Sequence, residues 1–278
     1  MLKAAVVGAQ TLLGQELVKA LEACEASVLP LHTGPLSTAE EEGDLVVFAP
    51  SPALLEGLDL VILVDQLQDL SLLAQFPGRI LDMREDADPK TSGEPMPLAG
   101  LWPPTVLRFR GRPALEQALA LVPALVDGVG EVSGTHISSV AMQGERGVRA
   151  LLAQTRAILA GEEPDLGDLG YRAAFEAVPL VPRGALVEVR VPTFHGDMLL
   201  LHLRSLPGKK LAPRDAQPGV RWVDSPPSTR EVAVTSDALV HLNLAEDGTR
   251  GTLVLGYDPI LWGVLRPTLR LLGLEIEH

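Results

Sequence analysis

The order of apolar and polar positions is most regular in residues 1–24. An apolar run from Leu2 to Val7 leads into a glycine-containing turn, after which apolar residues recur at helical spacing as far as Cys24. A strand that is apolar at almost every position is typical of a parallel sheet covered on both faces. We therefore predict a βα unit here and an α/β fold with flanking helices.

Further apolar runs continue this alternation through the first half of the chain. They predict strands at residues 26–31, 44–48, 60–64 and 79–81, a helix at 67–76 and a loop rich in proline and glycine at 89–104. A helix at 113–126 opens with Pro113 in its first turn and contains Pro123. The pattern predicts a Rossmann-like parallel sheet, a nucleotide-binding-type domain, in residues 1–127.

Strands dominate the second half. The pattern predicts strands at residues 131–142, 187–191, 198–206, 220–223, 238–244 and 251–256, with one helix at 148–160. Because few helices separate these strands, we expect a mixed sheet in an α+β domain over residues 128–257. A last helix at 260–272 follows Asp258 and Pro259 and stops at Gly273, and residues 258–278 are expected to pack back on the first domain.

Composition narrows the classes of partner. The chain has 278 residues, of which 46% are hydrophobic, so two domains of ordinary size are expected. A net charge of −13 disfavours nucleic acid and anionic membrane surfaces, because both require a cationic face. No window reaches the roughly 18 uninterrupted apolar residues of a membrane span, and the chain begins directly with its first strand, which predicts a cytoplasmic protein.

Metal and disulfide chemistry is not expected. Cys24 is the single cysteine, so the chain has no internal disulfide and no cysteine-rich metal site. The six histidines are scattered without ligand spacing, and we predict no metal. His136, His202 and His241 alternate with apolar neighbours and are interpreted as sheet residues. His195 precedes Asp197 by two positions and would pair with it only on a continuous strand, whereas Gly196 between them favours a turn.

The turn over residues 8–14 is an incomplete phosphate loop. Gly8 and Gly14 are present, but Thr11 stands where dinucleotide-binding loops have their middle glycine, and its β-branched side chain points into the space of the pyrophosphate. The loop, which is completed by Gln10, Leu12 and Leu13, is either a weak site for NAD or NADP or a turn whose glycines serve packing alone.

The residues after the second strand bear on cofactor choice. No arginine follows that strand to take a 2′-phosphate, and Glu40, Glu41 and Glu42 would repel one. We therefore expect dinucleotide binding to be weak or absent, with NAD preferred over NADP if either binds.

Five spaced segments agree in order with one family. They are Val6 to Ala9 with Gly14, residues 144–148, residues 173–179, residues 190–197 with the sequence RVPTFHGD, and Tyr257-Asp258 with Gly263. Together they resemble the aspartate-semialdehyde dehydrogenase family, especially its Usg-like branch, over nearly the whole chain. The resemblance implies a nucleotide-binding domain joined to a dimerisation domain, with the final helix returning to the first.

The resemblance also implies which catalytic groups are missing. The family uses a cysteine thiolate as nucleophile, and its position falls at Arg112 or Pro113, neither of which is nucleophilic. The family's acid/base histidine falls on Asp197. Arg190 matches the arginine that holds the substrate carboxylate, and the family's glutamine falls near Ser138. The substrate pocket is shortened between Pro182 and Arg190.

Two functions from different classes follow from these residues. The first is a protein that lacks the family's activity and acts through association, either as a homodimer or with a related dehydrogenase subunit. The second is an NAD(P)-dependent oxidoreductase on a small carboxylate or semialdehyde held by Arg190. We expect the strand-rich half to form an obligate dimer in which helix 148–160 covers one face of the sheet, and we expect Leu201 to lie in the contact between copies.

Overall fold

The chain divides into two compact units in the computed structural model. One comprises Met1–Pro113 with Val264–His278, and the other comprises Ala114–Gly263. The structure describes residues 1–34, 40–42, 45–84, 87–88, 90–97, 100–180 and 185–274, and at 40–42, 141–142, 145–146 and 168 it describes the backbone alone. In this described part, no helix is long and apolar enough to cross a membrane.

The first unit contains a parallel sheet with short helices. Its elements up to residue 113 are β1 Lys3–Val7, α1 Leu12–Ala23, β2 Ser27–Leu31, β3 Glu40–Glu42, β4 Leu45–Val47, α2 Pro52–Leu55, β5 Leu60–Leu63, β6 Arg79–Asp82, β7 Glu94–Pro95 and β8 Arg108–Arg110. Six strands pair in the order β2-β1-β5-β6-β8-β7, and every pairing is parallel. The central strands β1 and β5 are buried almost throughout, which accounts for their continuous apolar sequences.

Three segments of the first unit differ from the sequence prediction. The helix predicted at 67–76 is only a 3₁₀ turn at Leu70–Leu73, whose first turn is capped by the Asp69 carboxylate. The strand predicted at 44–48 is limited to β4, which pairs with β3, and residue 44 lies outside the described residues. The segment at 89–104, which was predicted to be a loop, contains β7 at the edge of the sheet. There Pro95 of β7 lies opposite Arg110 of β8.

The second unit is built on a seven-stranded mixed sheet. Its elements are α3 Ala114–Leu125, β9 Val126–Asp127, β10 Val129–Ser138, α4 Gly144–Leu159, β11 Val178–Pro179, β12 Leu186–Arg190, β13 Asp197–Ser205, β14 Ala212–Pro213, β15 Val220–Trp222, α5 Thr229–Val232, β16 Ala238–Leu244 and β17 Arg250–Tyr257. The strand order is β11-β12-β10-β13-β17-β16-β15, with both parallel and antiparallel pairs. The mixed α/β class that the sequence predicts is therefore confirmed.

Helix α3 covers one face of this sheet, which we call the inner face. Ala118 and Leu125 of α3 share a buried cluster with Leu201 of β13 and Leu255 of β17. This packing explains why α3 groups with the second unit, whereas the sequence pattern assigned it to a first domain ending at residue 127. The boundary by contacts instead falls between Pro113 and Ala114.

Helix α4 does not take the covering role expected for it. Its Leu151 packs in a small separate cluster with Val140, Ala173 and Ala174. The opposite, outer face of the sheet carries the alternate residues of β13, such as Leu200, which is partly exposed. Leu201 was expected in the contact between copies, but it lies in the core under α3 and is fully buried.

The final segment belongs to the first unit. A π-helical turn at Leu261–Leu265 leads into α6 Arg266–Leu272, which ends at Gly273 in the left-handed conformation. The backbone N–H of Trp102 donates to the carbonyl oxygen of Leu271 at 2.7 Å, which ties α6 to the loop of that unit. Contacts therefore group α6 with Met1–Pro113.

We predict that Leu201→Glu prevents the second unit from folding. A carboxylate at this fully buried position would lie among leucines without a partner, which costs several kcal/mol. The matched control is Leu152→Glu on α4, where the leucine is 40% exposed. Circular dichroism during urea unfolding should show a native-like control and an unfolded Leu201 variant. A Leu201 variant as stable as the control would contradict this packing.

Candidate functional site

Four polar residues form a row across one end of the seven-stranded sheet. Arg190 of β12 lies opposite Ser138 of β10, and Asp197 of β13 lies opposite Tyr257 of β17. Ile137 of β10 pairs with Met198 of β13. The next residue of β10, Ser138, therefore lies beside Asp197, which precedes Met198. Residues in register share one face of a sheet, so the row faces the same side as the core under α3.

Asp197 is the most constrained member of this row. It is 1% exposed, and its Oδ1 accepts hydrogen bonds from both the backbone N–H and the hydroxyl of Ser139, each at 2.8 Å. Its Oδ2 lies 3.1 Å from Nε2 of His136. A buried carboxylate is tolerated only when its oxygens are hydrogen-bonded, and here both oxygens have partners from β10 and the residue that follows it.

His136 supplies the ring that pairs with Asp197. It lies two residues before Ser138 on the same face of β10, and it is 5% exposed. Because a carboxylate only accepts hydrogen bonds, this pairing requires a proton on Nε2. The other ring nitrogen, Nδ1, is buried without a hydrogen-bond partner among the described residues.

Tyr257 closes the cluster on the other side. Its hydroxyl lies 3.3 Å from Nε2 of His136, and its ring packs on Trp262 with 5.1 Å between centroids. Burial raises the pKa of Tyr257 well above its ordinary value, and the negative charges of Asp197 and Glu188 add to this effect. Tyr257 is therefore a neutral phenol over the physiological pH range.

Arg190 lies at the far end of the row from Tyr257. Its guanidinium stacks over the ring of Tyr171 at 5.3 Å, and the hydroxyl of Tyr171 accepts a hydrogen bond from Gln143. Within the part of the chain that the structure describes, Arg190 forms no ion pair. Stacking uses the face of a guanidinium and leaves its N–H edge for a planar anion such as a carboxylate.

Ser138 connects the row to the strand beside it. Its hydroxyl donates to Oε1 of Glu188 at 3.1 Å, and Glu188 lies opposite His136 in register. The hydroxyl of Ser138 is therefore hydrogen-bonded to a neighbour within the sheet.

His195 and Asp197 do not form a pair. Gly196 between them has a φ of +89°, and a Cβ there would come within 2.6 Å of the Thr229 carbonyl oxygen, so the turn requires glycine. His195 instead lies 3.4 Å from the carboxylate of Asp258. That carboxylate also accepts from two backbone N–H groups of the following turn.

The glycine loop of the first unit is held by its own side chains. Thr11 is the N-cap of α1: its hydroxyl accepts from the N–H of Gly14 at 3.1 Å and donates to the carbonyl oxygen of Gly8 at 2.7 Å. Gly14 is required for packing, because a Cβ would lie 2.2 Å from the Gly8 carbonyl oxygen. Leu12 and Leu13 begin the helix and are partly exposed.

Gln10 crosses from this loop to the end of β2. Its Nε2 donates to the hydroxyl of Thr33 at 3.1 Å, and its Oε1 is buried without a partner among the described residues. A dinucleotide would place its pyrophosphate at the first turn of α1 and its ribose after β2. Since Thr11 already takes the N–H of Gly14 and Gln10 spans to Thr33, these residues do not fit a bound dinucleotide as they stand.

No nucleophile stands at the start of α3. Arg112 donates from Nε to the carbonyl oxygen of Met96 at 2.7 Å, and Pro113 precedes the helix. Cys24 is partly exposed at the C-terminal end of α1. Among the residues that the structure describes, no three histidine, cysteine or acidic side chains are grouped closely enough to hold a metal ion.

The cluster around Asp197 combines residues that the sequence pattern interpreted separately. The sequence alone predicts that His136 is an ordinary sheet residue, indicates no role for Ser139 and places Tyr257 only in a turn. Asp197 and His136 are 61 positions apart, and only the antiparallel pairing of β10 with β13 brings them together. The available signal was that a histidine and an acid stand at the ends of two strands that pair.

Comparison with known proteins identifies the fold class of the chain. No family model and no curated protein matches the chain. Solved structures match it over both units: aspartate semialdehyde dehydrogenase II from Vibrio cholerae, complexed with ASA, is 15% identical with a TM-score of 0.76, covering 99% of this chain and 98% of that one. A probable aspartate-semialdehyde dehydrogenase from Pseudomonas aeruginosa is 19% identical with a TM-score of 0.75, covering 100% and 99%.

A third similar structure agrees with these two. The aspartate semialdehyde dehydrogenase from Francisella tularensis is 13% identical with a TM-score of 0.70, and the match covers 98% of this chain and 99% of that one. The fold is thus a two-domain dehydrogenase fold. In particular, it is the fold of the aspartate-semialdehyde dehydrogenases, which confirms at the level of the fold the resemblance inferred from the sequence motifs.

We predict that His136 and Asp197 are energetically coupled. Removal of either side chain leaves a buried polar partner unpaired, so Asp197→Ala should destabilise the protein by about 3–5 kcal/mol. In a His136→Ala background the same change should cost less, as a double-mutant cycle in urea would measure. Asp215→Ala, at an exposed position, serves as the control. Additive effects of the two changes would show that the pair is not coupled.

Proposed function

We propose that this chain is an aspartate-semialdehyde dehydrogenase-like protein that lacks that family's activity and acts through association with itself or a related dehydrogenase subunit. The observation that carries the proposal is that Asp197 is buried and that both of its carboxylate oxygens have hydrogen-bond partners within the protein. It stands where the family has its acid/base histidine, and both of its oxygens are engaged by His136 and Ser139 inside the protein. A carboxylate held in this way has no position from which to exchange a proton with a substrate.

The absence of a nucleophile supports the same proposal. Covalent catalysis on an aldehyde requires a thiolate or an equivalent group, and the family position for it falls on Arg112 or Pro113. Arg112 is bonded to the Met96 carbonyl oxygen. The single cysteine, Cys24, is the C-cap residue of α1, whereas Asp197 is the first residue of β13.

The outer face of the second unit supports the association role. Ile137, Met198 and Leu200 are partly exposed there, and Val187 is 36% exposed. Helix α5 covers one corner, since Val232 packs against Gly256. A contiguous apolar face on a sheet is typical of a protein contact. A homodimer through this face is the association we propose, with an interface above roughly 2,000 Å².

Arg190 favours the alternative function. A stacked guanidinium without an ion pair in the described residues is a suitable site for the carboxylate of a small substrate. The alternative is therefore an NAD(P)-dependent oxidoreductase on a small carboxylate or semialdehyde, by hydride transfer without a covalent intermediate. It requires a cofactor that the loop of the first unit does not fit in its present arrangement.

We expect no phosphate-dependent oxidation of aspartate semialdehyde by the purified protein. The loss of the nucleophile and its base removes most of an enzymatic rate enhancement, which is on the order of a millionfold or more. The measurement is NADPH formation followed by absorbance, with Cys24→Ser as the matched control. Activity that exceeds that of the control would disprove the proposed loss.

We also expect weak or absent dinucleotide binding that improves with Thr11→Gly. This change removes the side chain that caps the N–H of Gly14 and frees that donor for a phosphate. Calorimetric titration with NAD and NADP measures the effect, and Thr105→Gly in an exposed turn is the control. A low-micromolar dissociation constant for NADP with the unaltered protein would refute the expectation.

A further inference from the structure

A groove opens at the amino ends of the strands in the first unit. The glycine loop follows the carboxyl end of β1, so the groove and the loop lie at opposite edges of the parallel sheet. The volume of the groove is about 480 Å³, which is in the usual range for sites of small molecules. Most of its lining is apolar and consists of leucines near or within β1, β5, β8 and α6: Leu2, Leu58, Leu60, Leu107 and Leu272. Leu107 is 58% exposed, so this apolar surface is open to solvent.

Arg79 places a cation in this groove. It is the first residue of β6, and its guanidinium lies over the ring of Trp102, 5.6 Å from the ring centroid. Trp102 is 5% exposed, and its Nε1 donates to the carbonyl oxygen of Val106 at 2.7 Å. A buried and hydrogen-bonded ring orients the guanidinium that stacks on it, while the N–H edge of the guanidinium stays available to a ligand.

The Arg79 guanidinium has no anion as partner within the described part of the chain. It forms no ion pair and no side-chain hydrogen bond there, although Asp59 also lines the groove. Oδ2 of Asp59 instead accepts from the backbone N–H of Lys3 at 2.8 Å, and the hydrogen bond between Asp59 and Arg79 joins their backbones. The groove therefore combines an apolar lining with a positive charge that no acid of the described chain neutralises.

We propose that this groove binds a small amphipathic carboxylate, with its carboxylate on Arg79 and its hydrocarbon tail along the leucines. A guanidinium donates two parallel hydrogen bonds to the two oxygens of a carboxylate, and the tail covers leucine surface that otherwise contacts water.

The charges in the groove favour a carboxylate over a phosphate ester. A carboxylate has a single negative charge, which one guanidinium balances. A phosphate monoester has nearly two, and it would meet the carboxylate of Asp59 in the same groove. The inference does not depend on the proposed association, because the groove belongs to the first unit and the apolar sheet face to the second.

Octanoate is the probe, and NMR of the tryptophan indole N–H groups locates its binding. The chain has three tryptophans, of which Trp102 belongs to the first unit and Trp222 and Trp262 belong to the second. Titration of the full chain with octanoate should shift the Trp102 signal and leave the other two unchanged. Hexanoate lacks two methylene groups of the tail, so its dissociation constant should be about tenfold higher. Octan-1-ol, which has the same tail without the charge, should also bind at least about tenfold more weakly than octanoate.

Two variants test the cation and the apolar lining separately. Arg79→Gln removes the charge and should weaken octanoate binding by about tenfold or more, with the binding of octan-1-ol unchanged. Leu107→Asp, at an exposed position, should weaken the binding of both probes. The matched controls Arg230→Gln and Leu70→Asp, at exposed positions outside the groove, should leave both dissociation constants unchanged.

Three results would overturn the proposal. One is a Trp102 signal that does not move in millimolar octanoate, and another is an equal shift of all three indole signals. The third is a folded Arg79→Gln or Leu107→Asp variant that binds octanoate as tightly as the unaltered protein. Circular dichroism checks the folding of each variant, and if Arg79→Gln does not fold, Leu107→Asp and octan-1-ol decide the question. None of these results bears on the proposed association, which is measured without these probes.

Discussion

The burial of one carboxylate, that of Asp197, constrains the whole end of the seven-stranded sheet. A charge removed from water must be satisfied by neighbouring donors, and Asp197 has three: the imidazole of His136 and the N–H and hydroxyl of Ser139. These donors come from β10 and the residue that follows it, so strand pairing and charge satisfaction depend on each other. Tyr257, kept neutral by burial, completes the cluster.

This constraint determines what chemistry the row can perform. At an active site a titratable group needs an unfilled side that faces the substrate, whereas here the row is satisfied internally except at Arg190. The loop of the first unit shows a similar arrangement, since Thr11 caps the helix whose N-terminus would bind phosphate. In the described part of the chain, most polar groups of this row and of this loop thus form hydrogen bonds with the protein's own side chains.

Much of the fold was predictable because it depends on local periodicity. The continuous apolar runs of β1 and β5 and the alternation along β13 predicted strands that the structure contains at nearly the same residues. The segment at 67–76, which was predicted to be a helix, forms only a 3₁₀ turn at Leu70–Leu73 with Asp69 as its N-cap. The sequence pattern grouped helix α3 with the first domain, whereas contacts group it with the second unit. Amphipathic spacing shows that one face of a helix is buried but does not show against which sheet.

The candidate site was less predictable for a related reason. Alternation places Leu200 and Leu201 on opposite faces but does not say which face the core covers, and the expectation for Leu201 was wrong for this reason. The pair of His136 and Asp197 depends on the register between two distant strands. The position of Asp197 followed from the family resemblance, whereas its partners followed only from the structure.

Nitrogen-15 NMR of the His136 imidazole tests most directly whether Asp197 is held within the protein. Because Oδ2 of Asp197 accepts from Nε2, the account predicts the Nε2–H tautomer, with an unprotonated Nδ1 shielded from solvent and a spectrum that changes on Asp197→Asn. An Nδ1–H tautomer, or a ring whose signals do not respond to that change, would contradict it.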